Sequence, residues 1–217
     1  MAAALNKPVG LIDLDLPYSN IASALRFTPN KTWKDWKGPD LPLFGQVSSL
    51  TDSIALMSCS VEIQRKPFLP TEETIIEVIE TMKKSLGTVI IDCGASVDEY
   101  VKVACQMADK ILLVSTPDQV SIRNSLMFLE YIRVNAEIEW VINKTKGSVP
   151  FNLKELTLET GYPVGMVLPY ASKVEEMTLA GKFMVEEYKR HPWSKEIRFY
   201  AMKENGEQVS WFTRLLG

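Results

Sequence analysis

At 217 residues, with 46% apolar and 24% charged side chains, the chain has the make-up of one sizeable globular domain, which excludes a fibrous repeat or a disordered polymer. A formal net charge of -3 leaves no global basic field and argues against nucleic-acid binding by general phosphate attraction. No apolar run approaches the ~18 residues of a membrane span, no secretory leader opens the chain, and the scattered Cys59, Cys93 and Cys105 read as buried thiols of a cytoplasmic, reducing compartment.

The first element is "KPVGLIDLDLPYSN", residues 7–20: a buried strand that runs into Asp13 and Asp15 and then turns at Pro17. Residues 26–52 follow, broken by Pro29, Gly38, Pro39, Pro42 and Gly45. They are too long for an ordinary connection, so a short helix packed at an edge is expected. Within them "NKTWKDWKGPD" interleaves Lys31, Lys34 and Lys37 with Trp33 and Trp36, a mix that can stack on bases or grip a partner. Asp35 and Asp40 dilute the charge, and tryptophans of this kind are more often packed, so an edge segment is the stronger reading.

A strand "SIALMSC" (53–59) comes next, then "TEETIIEVIETMKKSLG" (71–87), with Thr71 as N-cap, acids in its first turn, lysines in its last and Gly87 to stop it. Strands at 88–93, 110–116, 138–143 and 163–168 alternate with helical patterns at 96–109, 121–135, 152–161 and 172–181. Continuous apolar strands alternating with helices predict an α/β fold, with a doubly wound, mainly parallel sheet and helices on both faces. A helix containing "SKEIRFYAMK" closes the domain, which is placed at 1–203. His191, before Pro192, reads as a surface turn and, as the sole histidine, gives zinc no support. Residues 204–217 form a polar linker and a tail, "VSWFTRLLG", which as a helix would put Trp211, Phe212, Leu215 and Leu216 on one face. That face could dock back on the domain or touch a membrane, the latter only with the avidity of a dimer.

Ligand sites in open α/β sheets lie beyond the carboxyl ends of the strands, where Asp13, Asp15 and Asp92 all fall. "VIID" ending in Asp92 has the form of a Walker B strand, whose carboxylate orients magnesium through its water shell, although an acid capping the next helix has the same form. A phosphoacceptor receiver would order Asp13, Asp92, Ser115 or Thr116, and Lys144 similarly. It would not separate Asp15 from Asp92 by nearly eighty residues where roughly 30 make one βαβ unit. No G-x-G-x-x-G exists for a dinucleotide.

Taken together, "VGLIDLDLPYSNIASAL", "VIIDCGASVDEYVKVACQMADKILLVSTPDQVSIRNS", "VINK" and "LPYASKVEEMTLAGK" resemble the MinD/ParA family of P-loop ATPases. Within it they look most like the CpaE/TadZ branch tied to pilus assembly and polar positioning, from residue 1 to about residue 203. The resemblance implies ATP and Mg2+ as ligands. It makes Asp15 the catalytic residue that positions water, gives Asp13 and Asp92 to the magnesium shell, Asn143 to the adenine edge and Pro169 to the segment along the base. It also implies a homodimer, pilus, secretion or polar-localisation proteins as partners, and a peripheral place at the inner face of the membrane.

The chain departs from the family pattern at Ala171, where an Asp is common, and at "CGAS" after Asp92, which lacks the proline frequent in the partitioning branch. No GK[ST] occurs in it. Gly181-Lys182 is followed by Phe183 and ends a helix, so it cannot cradle a phosphate. Phosphoryl transfer rests on that cradle and its lysine, so little or no ATP hydrolysis is expected from these residues alone. In the family the strand before that loop is central in the sheet, so its neighbours here must close up or leave an unstable slot. A non-catalytic adaptor on the same fold and a plasmid or chromosome partitioning ATPase are the alternatives.

Overall fold

The computed structural model describes residues 1–18, 20–62, 66, 68–147 and 151–206. The apolar runs become strands and the 3.6-period segments become helices, in the order β1 (Val9–Asp13), α1 (Asn20–Ala24), β2 (Ser48–Thr51), β3 (Ile54–Met57), α2 (Glu72–Leu86), β4 (Val89–Asp92), α3 (Glu99–Met107), β5 (Lys110–Ser115), α4 (Gln119–Ile132), β6 (Glu137–Thr145), α5 (Leu153–Thr160), β7 (Val164–Pro169), α6 (Ser172–Ala180), α7 (Met184–Glu187) and α8 (Pro192–Glu204). This is an α/β fold of mainly parallel strands.

The strands form two sheets, ordered β2-β3-β1-β4 and β5-β6-β7, where the sequence suggests one. β4 is an edge of the first and β5 an edge of the second. The chain divides accordingly into two compact units, Ala2–Ala104 with Met177–Lys182, and Cys105–Glu176 with the segment from Phe183 onward and Met1.

In the first unit β1 lies between β3 and β4, parallel to both, with Val9 opposite Ile54 and Gly10 opposite Val89. Helix α2 covers this sheet with Ile75, Val78, Ile79 and Met82, all buried. Its ends follow the sequence: the Thr71 hydroxyl accepts from Thr74 N–H at 3.2 Å, and Gly87, at φ +75°, donates to Lys83 O at 2.9 Å. Gly10 lets the helix approach, since a Cβ there would sit 3.0 Å from Met82 Sδ.

The 26–52 segment holds two 3-10 turns, Trp33–Asp35 and Leu43–Gly45, in place of the expected short helix, and then the strand β2. β2 runs antiparallel to β3 at the sheet edge, and its "SSLT" has no apolar run to announce it. Buried Gln46 ties the segment together: its Oε1 accepts from Lys37 N–H at 2.7 Å and its amide donates to Gly38 O and Leu41 O. Trp33 is buried and Trp36 donates to Glu77 at 2.9 Å, as a packed edge requires.

Gly181 also belongs to this unit. Its φ is +69° and a Cβ would fall 2.6 Å from the backbone oxygen of Leu25. Gly181→Ala therefore combines left-handed strain with a clash that no rotamer relieves, and a loss of about 2–3 kcal/mol is expected, read as a lower urea midpoint.

In the second unit β6 lies between β5 and β7, all parallel, with Trp140 and Ile142 fully buried. Asp118 caps α4, its Oδ1 accepting from Ser121 N–H at 2.9 Å, so the helix starts two residues before the expected position. His191, expected in a turn, is the N-cap of α8, and its Nδ1 accepts from Trp193 N–H at 3.2 Å. Cys59 and Cys105 are buried as expected, whereas Cys93 is half-buried. No helix among the described residues is long and apolar enough to cross a membrane.

Candidate functional site

The carboxyl ends of β1 and β4 place Asp13 directly opposite Asp92 in the parallel ladder. Asp13 is fully buried. Its Oδ2 accepts from Ile21 N–H at 2.9 Å and its Oδ1 from Asp15 N–H at 3.2 Å. Burial pushes its carboxyl up to about 6. The two N–H bonds oppose this, and the nearby Asp92 and Asp15 carboxylates reinforce it. Each carboxylate oxygen of Asp13 thus accepts one N–H of the turn into α1.

Asp15, half-buried one step further on, accepts from the Asn20 amide. On the neighbouring strand Asp92 is exposed and its Oδ1 accepts from Gly94 N–H at 3.1 Å. Gly94, at φ +60°, passes so close to Asp15 that a Cβ would lie 2.6 Å from its Cγ. Any side chain at 94 would push the acid aside, so this glycine sets where the Asp15 carboxylate can stand. Neither this contact nor that of Asn20 is among the sequence expectations. A glycine two residues after a strand-end acid, and an asparagine entering a helix, were the available signals.

Cys59 follows β3. Burial, with the Asp13 carboxylate adding to it and Lys34 opposing it, pushes its thiol up to about 11, so it is protonated and unreactive at neutral pH.

Asn143 and Pro169 belong to the second unit, at the carboxyl ends of paired strands. The register moves from Ile142 opposite Val167 to Thr145 opposite Pro169, so β6 carries one extra residue. Lys144, at φ +60°, takes up that bulge and donates its N–H to Asn143 Oδ1 at 2.9 Å. Tyr170 N–H donates to Thr145 O at 2.8 Å and the Thr145 hydroxyl to Leu168 O at 3.1 Å, which locks the backbone around Pro169. Trp211, Phe212, Leu215 and Leu216 lie outside the described residues.

The architecture is shared with solved structures. A ParA family ATPase from Chlorobium tepidum TLS superposes with a TM-score of 0.77 at 21% identity, over 93% of this chain and 88% of that one. The fold is that of MinD and ParA. The MinD cell division protein of Aquifex aeolicus gives 0.76 at 21% identity, over 96% of this chain and 89% of that one. The septum site-determining protein MinD of Pyrococcus horikoshii OT3, solved with Mg-ADP, gives 0.71 at 17%, over 98% and 89%. No family model matches the chain, and no curated protein matches it in sequence.

The residues of this MinD-like fold meet the demands of a magnesium nucleotide only in part. Among the described residues no group of three His, Cys, Asp or Glu side chains is placed to ligate a metal directly, and Asp13 has no free carboxylate oxygen facing water. Exposed Asp92 and half-buried Asp15 suit a water-mediated outer shell. No GK[ST] occurs within residues 1–217 to supply the lysine and hydroxyl of a phosphate cradle.

Proposed function

We propose that this chain acts as a MinD/ParA-type positioning protein of the CpaE/TadZ kind, which places or assembles a pilus or secretion machine as a homodimer under the control of ATP and Mg2+. The observation that carries this reading is the meeting of Asp13, Asp15, Asp92 and Gly94 at two adjacent strand ends. In it Asp15 positions water, exposed Asp92 serves the magnesium shell, buried Asp13 supports that shell from behind by holding the turn that carries Asp15, and Asn143 and Pro169 hold the base. The tail residues Trp211, Phe212, Leu215 and Leu216 give a dimer its contact with the membrane surface.

Hydrolysis by residues 1–217 alone is expected to be weak or absent. A second reading, a non-catalytic adaptor, is favoured by one observation: both oxygens of Asp13 already serve the backbone. The net charge of -3 weighs against a DNA-partitioning role.

Phosphate release from ATP, and equilibrium binding of a fluorescent ATP analogue with and without magnesium, test the claim about hydrolysis. The expected results are release at the buffer rate and binding no tighter than about 100 μM. Turnover abolished by Asp15→Ala would overturn that claim. An in-frame segment bearing GK[ST] in the coding sequence ahead of the Met1 codon would decide for the ATPase over the adaptor, and a stop codon there for the adaptor.

A further inference from the structure

The irregular segment between α1 and β3 builds a cleft within the first unit. It holds about 280 Å³, and its lining includes Phe27, Lys31, Phe44, Gly45, Val47 and Ser49. Phe44 is 67% exposed, yet it does not sit on a slack turn. Leu43 before it is buried, and Gln46 after it is tied to Lys37, Gly38 and Leu41, so the ring is presented from a fixed backbone. A lone exposed phenylalanine needs no explanation, but one that walls a cleft beside an open sheet edge does.

That edge is β2. It pairs with β3 alone, and Val47 and Ser49, on either side of Ser48 at its start, both line the cleft. Every second residue of such a strand turns its N–H and C=O away from its neighbour. Among the described residues no backbone group bonds to this outer edge. The register shift between Ser49 and Thr51 confines regular pairing to the stretch before it, which is the stretch beside the cleft.

Size and charge say what fits. Small-molecule pockets run from about 300 to 1,000 Å³, so this cleft suits one large side chain better than a whole ligand. Half-buried Lys31 is the charged residue in its lining, and among the described residues no acid lines it. Residues 26–37 carry Arg26, Lys31, Lys34 and Lys37 against Asp35 alone, in a chain whose net charge is -3. Asp35 is itself engaged, its Oδ2 accepting from the Thr32 N–H at 2.9 Å. The surroundings of the cleft are therefore locally basic. Base stacking is not served here, since Trp33 is buried and the Trp36 indole donates to Glu77 at 2.9 Å.

We infer that the cleft between Phe27 and Phe44, with the free edge of β2, is a docking site for an acidic, extended segment of a partner protein. The segment adds a short strand to β2 and seats one aromatic or large aliphatic side chain in the cleft. Its carboxylates face Lys31 and the basic residues around it. The site uses none of Asp13, Asp15 or Asp92, so it does not rest on the nucleotide reading. So short a pairing with a single anchor gives weak binding, with a Kd of about 10–100 μM.

Selection of a phage-displayed library of random dodecapeptides on the full chain, followed by fluorescence anisotropy of the enriched peptides, tests this. Enriched peptides are expected to carry net negative charge around one aromatic or large aliphatic residue. Gly45→Leu should fill the cleft and weaken binding at least about tenfold. A Cβ at Gly45 meets nothing within 4 Å and its φ is not positive, so the urea midpoint should not move. Lys31→Glu should weaken the acidic peptides by a similar factor, about tenfold, and should bind versions with lysine in place of the acids better than the wild type does. N-methylation of alternate peptide amides, read on the wild type, should abolish binding in one parity and be tolerated in the other, as strand addition requires. No enrichment, enriched peptides without acids, or binding indifferent to both Gly45→Leu and Lys31→Glu would overturn the inference. So would N-methylation tolerated in both parities.

Discussion

Glu139→Ala is expected to destabilise the second unit by about 3 kcal/mol, the cost of dismantling a buried and fully paired charge. Glu139 is only 3% exposed. The Tyr200 hydroxyl donates to its Oε2 at 2.6 Å, and the ammoniums of Lys203 and Lys110 stand 3.5 and 3.6 Å from Oε1. Lys110 in turn reaches Glu204 at 2.8 Å, so one carboxylate on β6 links β5 to the last turn of α8. Alanine would remove the 2.6 Å acceptor of the buried Tyr200 hydroxyl, whereas Glu139→Gln keeps an acceptor there and should cost roughly half as much.

The same network fixes a pH dependence. Burial by itself would push the Glu139 carboxyl up, but the Tyr200 hydroxyl and the two ammoniums outweigh it and hold the carboxyl below the ordinary glutamate range. Because the folded value is the lower one, this stabilisation is complete at neutral pH, begins to weaken below about 4.3 and is lost as pH falls through the folded value. Urea titrations at pH 7 and pH 3 should show the wild type and Glu139→Ala converging in acid. Equal differences at both values would mean that the carboxylate charge contributes nothing.

Asp13→Asn should act in the opposite direction. The Asp13 carboxyl is raised to about 6, so above that pH the folded chain carries a buried charge that the unfolded chain holds in water. The sign is the reverse of Glu139: the penalty is absent below about 4, grows between 4 and 6, and is constant above, reaching roughly 2–3 kcal/mol. Asparagine removes the charge but accepts only one of the N–H bonds from Ile21 and Asp15 on its oxygen, at a cost of about 1 kcal/mol. The variant is thus expected to be more stable than the wild type by about 1–2 kcal/mol at pH 8 in EDTA, and slightly less stable at pH 4. A variant less stable at both would show that the N–H bonds dominate.

Much of this is legible in the sequence. The α2 segment announced itself through Thr71, its apolar period and Gly87, because capping and amphipathicity are local properties. The acids at the strand ends were legible for the same reason. Their opposition was not: Asp13 meets Asp92 through a pairing across most of the first unit, and no local pattern encodes strand neighbours. The helical pattern at 121–135 starts two residues late because its apolar period does not mark Asp118, whose carboxylate accepts from Ser121 N–H as the cap. The Lys144 bulge and the contact of Gly94 with Asp15 are set by tertiary packing, which leaves only an ordinary lysine and an ordinary glycine in the sequence.

The division of the strands into two sheets has a cost in colloidal terms. "VIID" on β4 and "KILLVS" on β5 each end a sheet with apolar residues, and neither strand holds a proline or bulge in its ladder; Val114 is 58% exposed. Their gatekeepers are the charged Asp92 and Lys110 at the strand ends, with nothing charged between. Backbone groups at the end of a sheet can template edge-to-edge association, and the two charges that flank these borders are what the strands themselves set against it.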